Sequence, residues 1–229
     1  MSYIKVFLIA VYAIFIAIIT IIFSPIDHIW KGKSTFVISK VFSKFILWVA
    51  GVKLVIEGRE FIDKNENYIY ITNHQSFFDI PILMQAAPSN IRFIYKKSLT
   101  KVPIFGWGMY LGGYIPINRE DGREAMKSLR LAAERLKKGI SIVIFPEGTR
   151  SEDGKLGDFK RGAFVLADEA KAKIIPGTII DSYKILTKGS VKFNPGTVKV
   201  VFHKPMEYKK DKLFLQEIKD KIQSSLPNN

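Results

Sequence analysis

The chain of 229 residues contains no cysteine and only three histidines, His28, His74 and His203. The first absence excludes disulfides, thiolate nucleophiles and cysteine metal sites, and it removes any argument about redox compartment. The second leaves no His-x-x-x-His or similar pair, so no histidine-rich metal centre is expected. Acidic residues are scarce too: 21 Asp and Glu against 35 Lys and Arg give a formal net charge of +14. Two stretches lack acids altogether. Ile80 to Arg119 carries Arg92, Lys96, Lys97, Lys101 and Arg119, and Ser182 to Met206 carries Lys184, Lys188, Lys192, Lys199 and Lys204. Surfaces that serve only solubility mix the two signs, so these stretches suggest an anionic partner: a phosphorylated substrate, an acidic protein, an acidic membrane or nucleic acid.

Charge is also missing from "VFLIAVYAIFIAIITIIF", Val6 to Phe23, and none appears until Asp27. Eighteen helical residues extend about 27 Å, just short of a hydrocarbon core of about 30 Å. A cleaved signal peptide would want a stronger basic start than Lys5 and a small-x-small site, whereas "SPIDHIW" follows. A helix apolar on every side suits lipid better than a soluble core. After a loop, Ser24 to Ser34, comes "TFVISKVFSKFILWVAGVKLVIEG". Ser39, Lys40, Ser43 and Lys44 share one helical arc, and Phe36, Val37, Val41, Phe45, Trp48 and Val49 fill much of the rest. That pattern suits a helix lying in the bilayer interface with its lysines at headgroup level. It also suits a helix packed on the domain that follows, and both can hold at once. Lys31, Lys33, Lys40 and Lys44 come behind the apolar run, which places the remainder on the cytoplasmic side of the membrane. Residues 1–56 therefore read as a membrane-anchoring helical segment and 57–229 as one domain.

In that domain, β-rich or apolar runs alternate with helical patterns. "YIYIT" (Tyr68 to Thr72), "IRFIYK" (Ile91 to Lys96), "SIVIFP" (Ser141 to Pro146), "KIIPGTII" and "GTVKVVFHKP" read as strands. "GGYIPIN", ending at Asn118, is a further extended piece, and Pro116 assigns it to an edge. Helices are expected over Ile80 to Ala87, Glu124 to Gly139, "RGAFVLADEAK" and the tail, where Leu215, Ile218, Ile222 and Leu226 share a side. The order predicts an α/β fold: a mixed, largely parallel central sheet flanked by helices, behind an N-terminal membrane-associated two-helix segment. Ligands of such sheets sit beyond the carboxyl ends of strands. Asn73-His74 and Glu147-Gly148-Thr149-Arg150 both fall at such ends.

The bridge "ITNHQSFFDIP" sets His74 five residues ahead of Asp79. Inside one helix that step would turn the two side chains about 140° apart. Pro81, tolerated only in a first helical turn, puts the helix start near Asp79 and leaves Asn73 to Phe78 irregular. An irregular bridge can fold an imidazole back onto a carboxylate; equally, Asp79 could serve as a helix N-cap and His74 as a polar strand end. In "FPEGTRSEDGKLGDFKRGAF", a glycine allows close backbone approach to a ligand and Arg150 offers a planar fork for phosphate oxygens. Lys160 and Arg161 precede a helix whose N-terminus favours an anion.

Taken together these motifs resemble the 1-acylglycerol-3-phosphate acyltransferases (lysophosphatidate acyltransferases), over roughly Glu57 to Pro205. "NHQSFFD" matches the family's His, four residues, Asp; "KKSLTKVPIFGWGMYLGGYIPINR" matches its second block with Lys96, Gly106, Gly113 and Arg119 in place. "FPEGTRS" is its third block and "KIIPGTI" its fourth, although Gly177 stands where the family more often has an aliphatic residue. The resemblance implies that His74 is the general base for a lipid hydroxyl and that Asp79 orients it. It implies further that Arg119, Glu147, Gly148, Thr149 and Arg150 hold glycerol phosphate, with Lys96 a weaker contact. Neither metal nor bound cofactor is implied. Acyl-CoA or acyl carrier protein would be the donor, lysophosphatidic acid the acceptor, phosphatidic acid the product, and anionic membrane lipid the setting. Alternatives are a glycerol 3-phosphate or other lysophospholipid acceptor, and a basic membrane-associated nucleic-acid binder, of which "IRFIYKK" is the only trace.

Overall fold

Residues 2–27, 29–211 and 213–227 are described by the computed structural model, and among them seven strands form one sheet. They are β1 (Val52–Glu57), β2 (Ile69–Thr72), β3 (Ile91–Lys96), β4 (Ile115–Ile117), β5 (Ser141–Ile144), β6 (Ile174–Ile180) and β7 (Gly196–Phe202). Their order is β1-β7-β6-β2-β5-β3-β4, and every neighbouring pair is parallel except β6 with β7. The expected mixed, largely parallel sheet is therefore found. Central β2 and β5 are buried at every residue, which is why they read as unbroken apolar runs, whereas β1 near-alternates at one edge. β4, with Pro116, closes the other edge.

Eight helices complete the described chain: α1 (Ser2–Asp27), α2 (Lys33–Ala50), α3 (Asp79–Ala86), α4 (Phe105–Leu111), α5 (Gly122–Lys137), α6 (Gly162–Ala170), α7 (Ser182–Ile185) and α8 (Phe214–Gln223). Alternation along the strands splits the core in two. Tyr70, Phe93 and Val143 pack with Leu47 of α2 and Leu83 of α3 on one face. Ile71, Ile94 and Ile142 pack with Leu129 of α5, Leu166 of α6 and Ile218 of α8 on the other. Local chemistry agrees with these boundaries. Asp121 caps α5 by accepting from the backbone N–H groups of Arg123 (2.9 Å) and Glu124 (3.1 Å).

The front end departs from expectation in three ways. First, α1 runs to Asp27 with Pro25 inside it rather than ending at a loop from Ser24. Proline leaves the Ile21 carbonyl without its helical donor, and the Ser24 hydroxyl donates to that oxygen instead (2.8 Å). Asp27 then takes the backbone N–H of Thr35 (3.1 Å) and the Ser34 and Thr35 hydroxyls, tying the end of α1 to the first turn of α2. Second, Val52–Glu57 is a strand paired with β7, so the helical segment ends at Gly51 and not at residue 56. Third, the serine side of α2 faces inward: Ser43 is buried and Ser39 hydrogen-bonds the Tyr114 hydroxyl (2.7 Å). Its outward side is Val37, Val41, Lys44 and Trp48.

α1 is not a free span. Val6 and Ile9 pack against the core, the Tyr12 ring lies 4.1 Å from Phe45, and a Cβ placed on Gly108 of α4 would lie 2.9 Å from that of Ala17. Its opposite side exposes Ile4, Phe7, Val11, Phe15, Ile18 and Ile22. Spacings of three and four make that one continuous stripe.

Arg92, counted by sequence among the field-forming cations, is fully buried. Its guanidinium donates to the carbonyls of Gly112 (2.6 Å), Gly32 (2.8 Å) and Ile91 (2.8 Å) and to the Asn90 amide oxygen (2.8 Å). One cation thus joins β3, the end of α4 and the α1–α2 connection. Arg92→Met should strand those buried carbonyls at about 1–3 kcal/mol each. A fall of several degrees in the thermal midpoint of the detergent-solubilised protein is expected, and an unchanged midpoint would refute the brace.

Candidate active site

β2 and β5 lie side by side and run the same way, with Ile71 opposite Ile144. His74 and Glu147 each follow three residues later, so parallel pairing alone brings both polar clusters to one sheet edge. Asn73 ends β2 by exchanging two hydrogen bonds with the backbone of Ile179 on β6 (2.7 and 2.8 Å), which frees the chain to leave the sheet.

The bridge then closes around Asp79. One carboxylate oxygen, Oδ2, accepts from the His74 ring nitrogen Nδ1 (2.7 Å) and from the backbone N–H groups of Gln75 (2.7 Å) and Ser76 (2.8 Å). Its other oxygen accepts from the Ser182 hydroxyl at the start of α7 (2.5 Å). Asp79 is the first residue of α3 but does not cap it, because the carboxylate turns back onto the bridge and not forward into the helix. The His74 ring stacks on Phe145, centroids 4.0 Å apart and planes 12° from parallel. With Nδ1–H given to the carboxylate, Nε2 carries the lone pair. Among the described residues Nε2 has no hydrogen-bond partner, and the side chain is 15% exposed.

The arginine loop is attached to the same histidine. Glu147 is buried; its Oε1 accepts from the His74 backbone N–H (2.7 Å) and its Oε2 from that of Gly157 (2.8 Å). Ser151 N–H in turn donates to the His74 carbonyl (2.8 Å). Burial pushes the Glu147 carboxyl above its usual range, opposed by those two amide bonds. Each Glu147 oxygen is thus bonded to the main chain, which pins the loop to the His74 backbone. Gly148 takes φ +70°, and the Lys160 side chain passes close to where a Cβ would lie, its Nζ 3.1 Å away. The left-handed backbone favours glycine there. Arg119 donates to the Gly148 carbonyl, Thr149 is exposed on the rim, and the Arg150 guanidinium lies 3.6 Å above the Phe77 ring. Partial burial lowers the Arg150 pKa and nearby Asp79 opposes the shift; arginine stays a cation throughout.

Lys96 ends β3, exposed, opposite Ile117 of β4, and makes no hydrogen bond to this group among the described residues. His203 bonds Thr178 (3.1 Å) away from the loop, with burial first and Lys221 second holding its pKa below the usual value; His28 lies outside the described residues. A cavity of about 420 Å³ opens beside Gln75 against Gly154, Asp181 and Gln223, but His74 does not line it. Gly177 has its own reason: a Cβ there would lie 2.7 Å from the Thr72 methyl, which fills the space an aliphatic residue would take. Sequence reasoning missed Phe77 and Phe145, the platforms for the guanidinium and the imidazole, although both adjoin the quoted motifs. It also missed Ser182, which lies 103 residues from Asp79 and leaves no local signal.

An imidazole anchored through one nitrogen and open at the other can take a proton from a hydroxyl, and the adjoining arginines can hold an anion; the class is an α/β base-and-anion site at parallel strand ends. Comparison with known proteins makes this specific. A family model described as Acyltransferase matches residues 53–180, more than half the chain, and the chain belongs to that family. It is 40% identical over 176 residues to a chloroplastic 1-acyl-sn-glycerol-3-phosphate acyltransferase of Arabidopsis thaliana, covering 76% of this chain and 49% of that protein. It is 29% identical over 201 residues to the 1-acyl-sn-glycerol-3-phosphate acyltransferase of Borreliella burgdorferi, covering 85% and 80%. The chain spans about half the length of the plant relatives it matches. Among solved structures, the 1-acyl-sn-glycerophosphate acyltransferase PlsC of Thermotoga maritima superposes with a TM-score of 0.77 at 27% identity, covering 98% of this chain and 95% of that one.

Glu147→Gln keeps the size but sets an amide NH₂ against one of two backbone N–H groups. Loss of that bond should cost about 1–3 kcal/mol and lower the thermal midpoint. A midpoint equal to wild type would remove the backbone-pinning role.

Proposed function

We propose that this protein transfers an acyl group from a thioester donor to the 2-hydroxyl of 1-acylglycerol 3-phosphate, giving phosphatidic acid. The observation that carries the proposal is the 2.7 Å bond between His74 Nδ1 and the buried Asp79 carboxylate, beside the loop that bears Arg150 and whose Gly148 carbonyl accepts from Arg119. Nε2 removes the hydroxyl proton as the oxygen attacks the thioester carbonyl. The tetrahedral intermediate collapses with rupture of the C–S bond, and the departing thiolate recovers the proton from the imidazolium. Asp79 holds the ring in the required tautomer and stabilises its protonated form. The acyl group passes directly between substrates, so no serine or cysteine nucleophile is required.

Arg150, supported on Phe77, and Arg119 bind the acceptor phosphate, while Gly148 and Thr149 give it room and a hydroxyl at the rim. Either acyl-CoA or acyl carrier protein supplies the donor, and both are acidic, in keeping with the charge of +14. Attachment is to the cytoplasmic face of the membrane. α1 is long and apolar enough to cross a bilayer. Its docked face argues for lying in one leaflet with the exposed stripe in lipid.

Purified full-length protein offered both donors with lysophosphatidic acid, glycerol 3-phosphate and other lysolipids tests this directly. Product from lysophosphatidic acid alone is expected; product only from another acceptor would overturn the substrate assignment. His74→Ala should lose about 10²–10⁴ in kcat with an unchanged thermal midpoint. Turnover equal to wild type would eliminate the base. Arg150→Ala removes a charge-assisted contact and should raise KM for the phosphorylated acceptor about tenfold or more. An unchanged KM would remove its phosphate role.

A further inference from the structure

The segment between β3 and β4 is a second apolar surface that neither the His74 site nor α1 accounts for. It comprises the 3₁₀ turn Lys97–Lys101 and α4. Trp107, Tyr110 and Leu111 occupy one side of α4 at spacings of three and four, and all are exposed, as are Leu99 and Val102 just before them. The other side of α4 is fixed. A Cβ on Gly106 would lie 2.5 Å from the Leu99 and Thr100 carbonyl oxygens, and Gly108 touches Ala17 of α1. Ile104 at the helix entrance sits at φ +63°, a conformation that β-branched residues adopt only when their surroundings impose it. Large aromatic side chains are thus held outward on a rigid support.

We propose that this turn and α4 form a second membrane-inserting element, entering the same leaflet as α1. The inference rests on the reading of α1 as the membrane anchor. Three observations select a bilayer as the occupant. α4 packs directly against α1 through Gly108 on Ala17, and both helices carry exposed apolar residues, Trp107, Tyr110 and Leu111 on one and Phe15, Ile18 and Ile22 on the other. The apolar groove here is lined by Thr100, Gly106, Trp107, Tyr110 and Leu111, a mixture of tryptophan, tyrosine and aliphatic groups suited to the headgroup boundary. The rim is basic: Lys96 and Lys101 are exposed without an ion pair among the described residues, and no acid occurs from Ile80 to Arg119. Lysines so placed extend their stems along the apolar surface and their charges toward anionic headgroups.

The consequence is positional. The chain leaves α4 for β4 and reaches Arg119, which donates to the Gly148 carbonyl. Seating α4 in the leaflet therefore sets the depth of the arginine loop, and an acceptor can present its hydroxyl while its acyl chain stays in lipid.

The chain has three tryptophans, Trp30, Trp48 and Trp107, exposed by 57%, 76% and 56%. Full-length variants keeping one each, with phenylalanine at the other two positions, can be bound to phosphatidylcholine–phosphatidylglycerol vesicles bearing brominated acyl chains. Trp107 should be quenched as strongly as Trp48. Quenching of Trp48 without Trp107 would overturn the inference and leave the α1 anchor standing; quenching of none would overturn the anchor as well. Protection of Trp107 from acrylamide in detergent, with a dimeric mass, would assign the surface to a second copy and likewise overturn it. In an otherwise native chain, Trp107→Glu should lower vesicle partitioning about tenfold or more with no change in thermal midpoint. Unaltered partitioning would count against insertion.

Discussion

One buried carboxylate gathers the site. Asp79 is fully enclosed, and removing such a charge from water costs several kcal/mol unless donors replace the lost hydration. Here three donors converge on Oδ2 and a fourth meets Oδ1, each charge-assisted bond returning about 1.5–3 kcal/mol. Those donors come from the bridge behind β2 and from the start of α7, so one carboxylate fastens the two segments, which also meet where the Ser76 hydroxyl donates to the Leu186 carbonyl. The imidazole is oriented by the same group that folds the loop carrying it. Its orientation is therefore a property of the fold and not of a flexible side chain.

Glu147 divides the work with Asp79. An unpaired carboxylate beside the arginines would repel a phosphate, yet this one has both oxygens closed by backbone amides. It acts on the main chain of His74 where Asp79 acts on the ring, and Ser151 completes the link to the histidine carbonyl. The histidine and the arginine loop are thus fastened together, as the proposed acyl transfer requires: the acceptor carries its hydroxyl and its phosphate on one small molecule, and these must meet the imidazole and the arginines at once.

Much of this was legible because it is encoded locally. Continuous apolar runs gave the central strands, Pro81 gave the start of α3, and Pro116 gave the edge. What sequence misjudged depends on contacts between distant segments. Ser39 and Ser43 share an arc with Lys40 and Lys44 that suits the bilayer interface and the domain alike, until Ser39 meets Tyr114 and Ser43 is buried. Arg92 read as surface charge because nothing local announces that three main-chain carbonyls will converge on it. β1 was hidden behind the apolar helix before it, although Gly51 and the alternation in "VKLVIE" mark a change of period from 3.6 to 2. The backbone bonds of Glu147 were hidden for a different reason: a motif specifies which residue is present, not which main-chain amides its oxygens will meet.

The two faces of the sheet bear on how the proposed reaction would reach a lipid substrate. The core face that carries α2 and α3, and against which α1 rests, also carries Phe93 and Phe145. Phe145 is the platform of the His74 ring. The His74 imidazole and the α1–α2 pair are therefore built on one side, while α5, α6 and α8 close the other. A lipid acceptor would pay a large penalty to leave its leaflet, about 0.8 kcal/mol for every methylene exposed. On the proposed reading, bringing His74 to the bilayer avoids that penalty, and it requires α1 and α2 to be packed rigidly against the histidine's own layer. Arg92 meets that requirement on the domain side, since it bonds the connection between α1 and α2 to the sheet that positions the reaction.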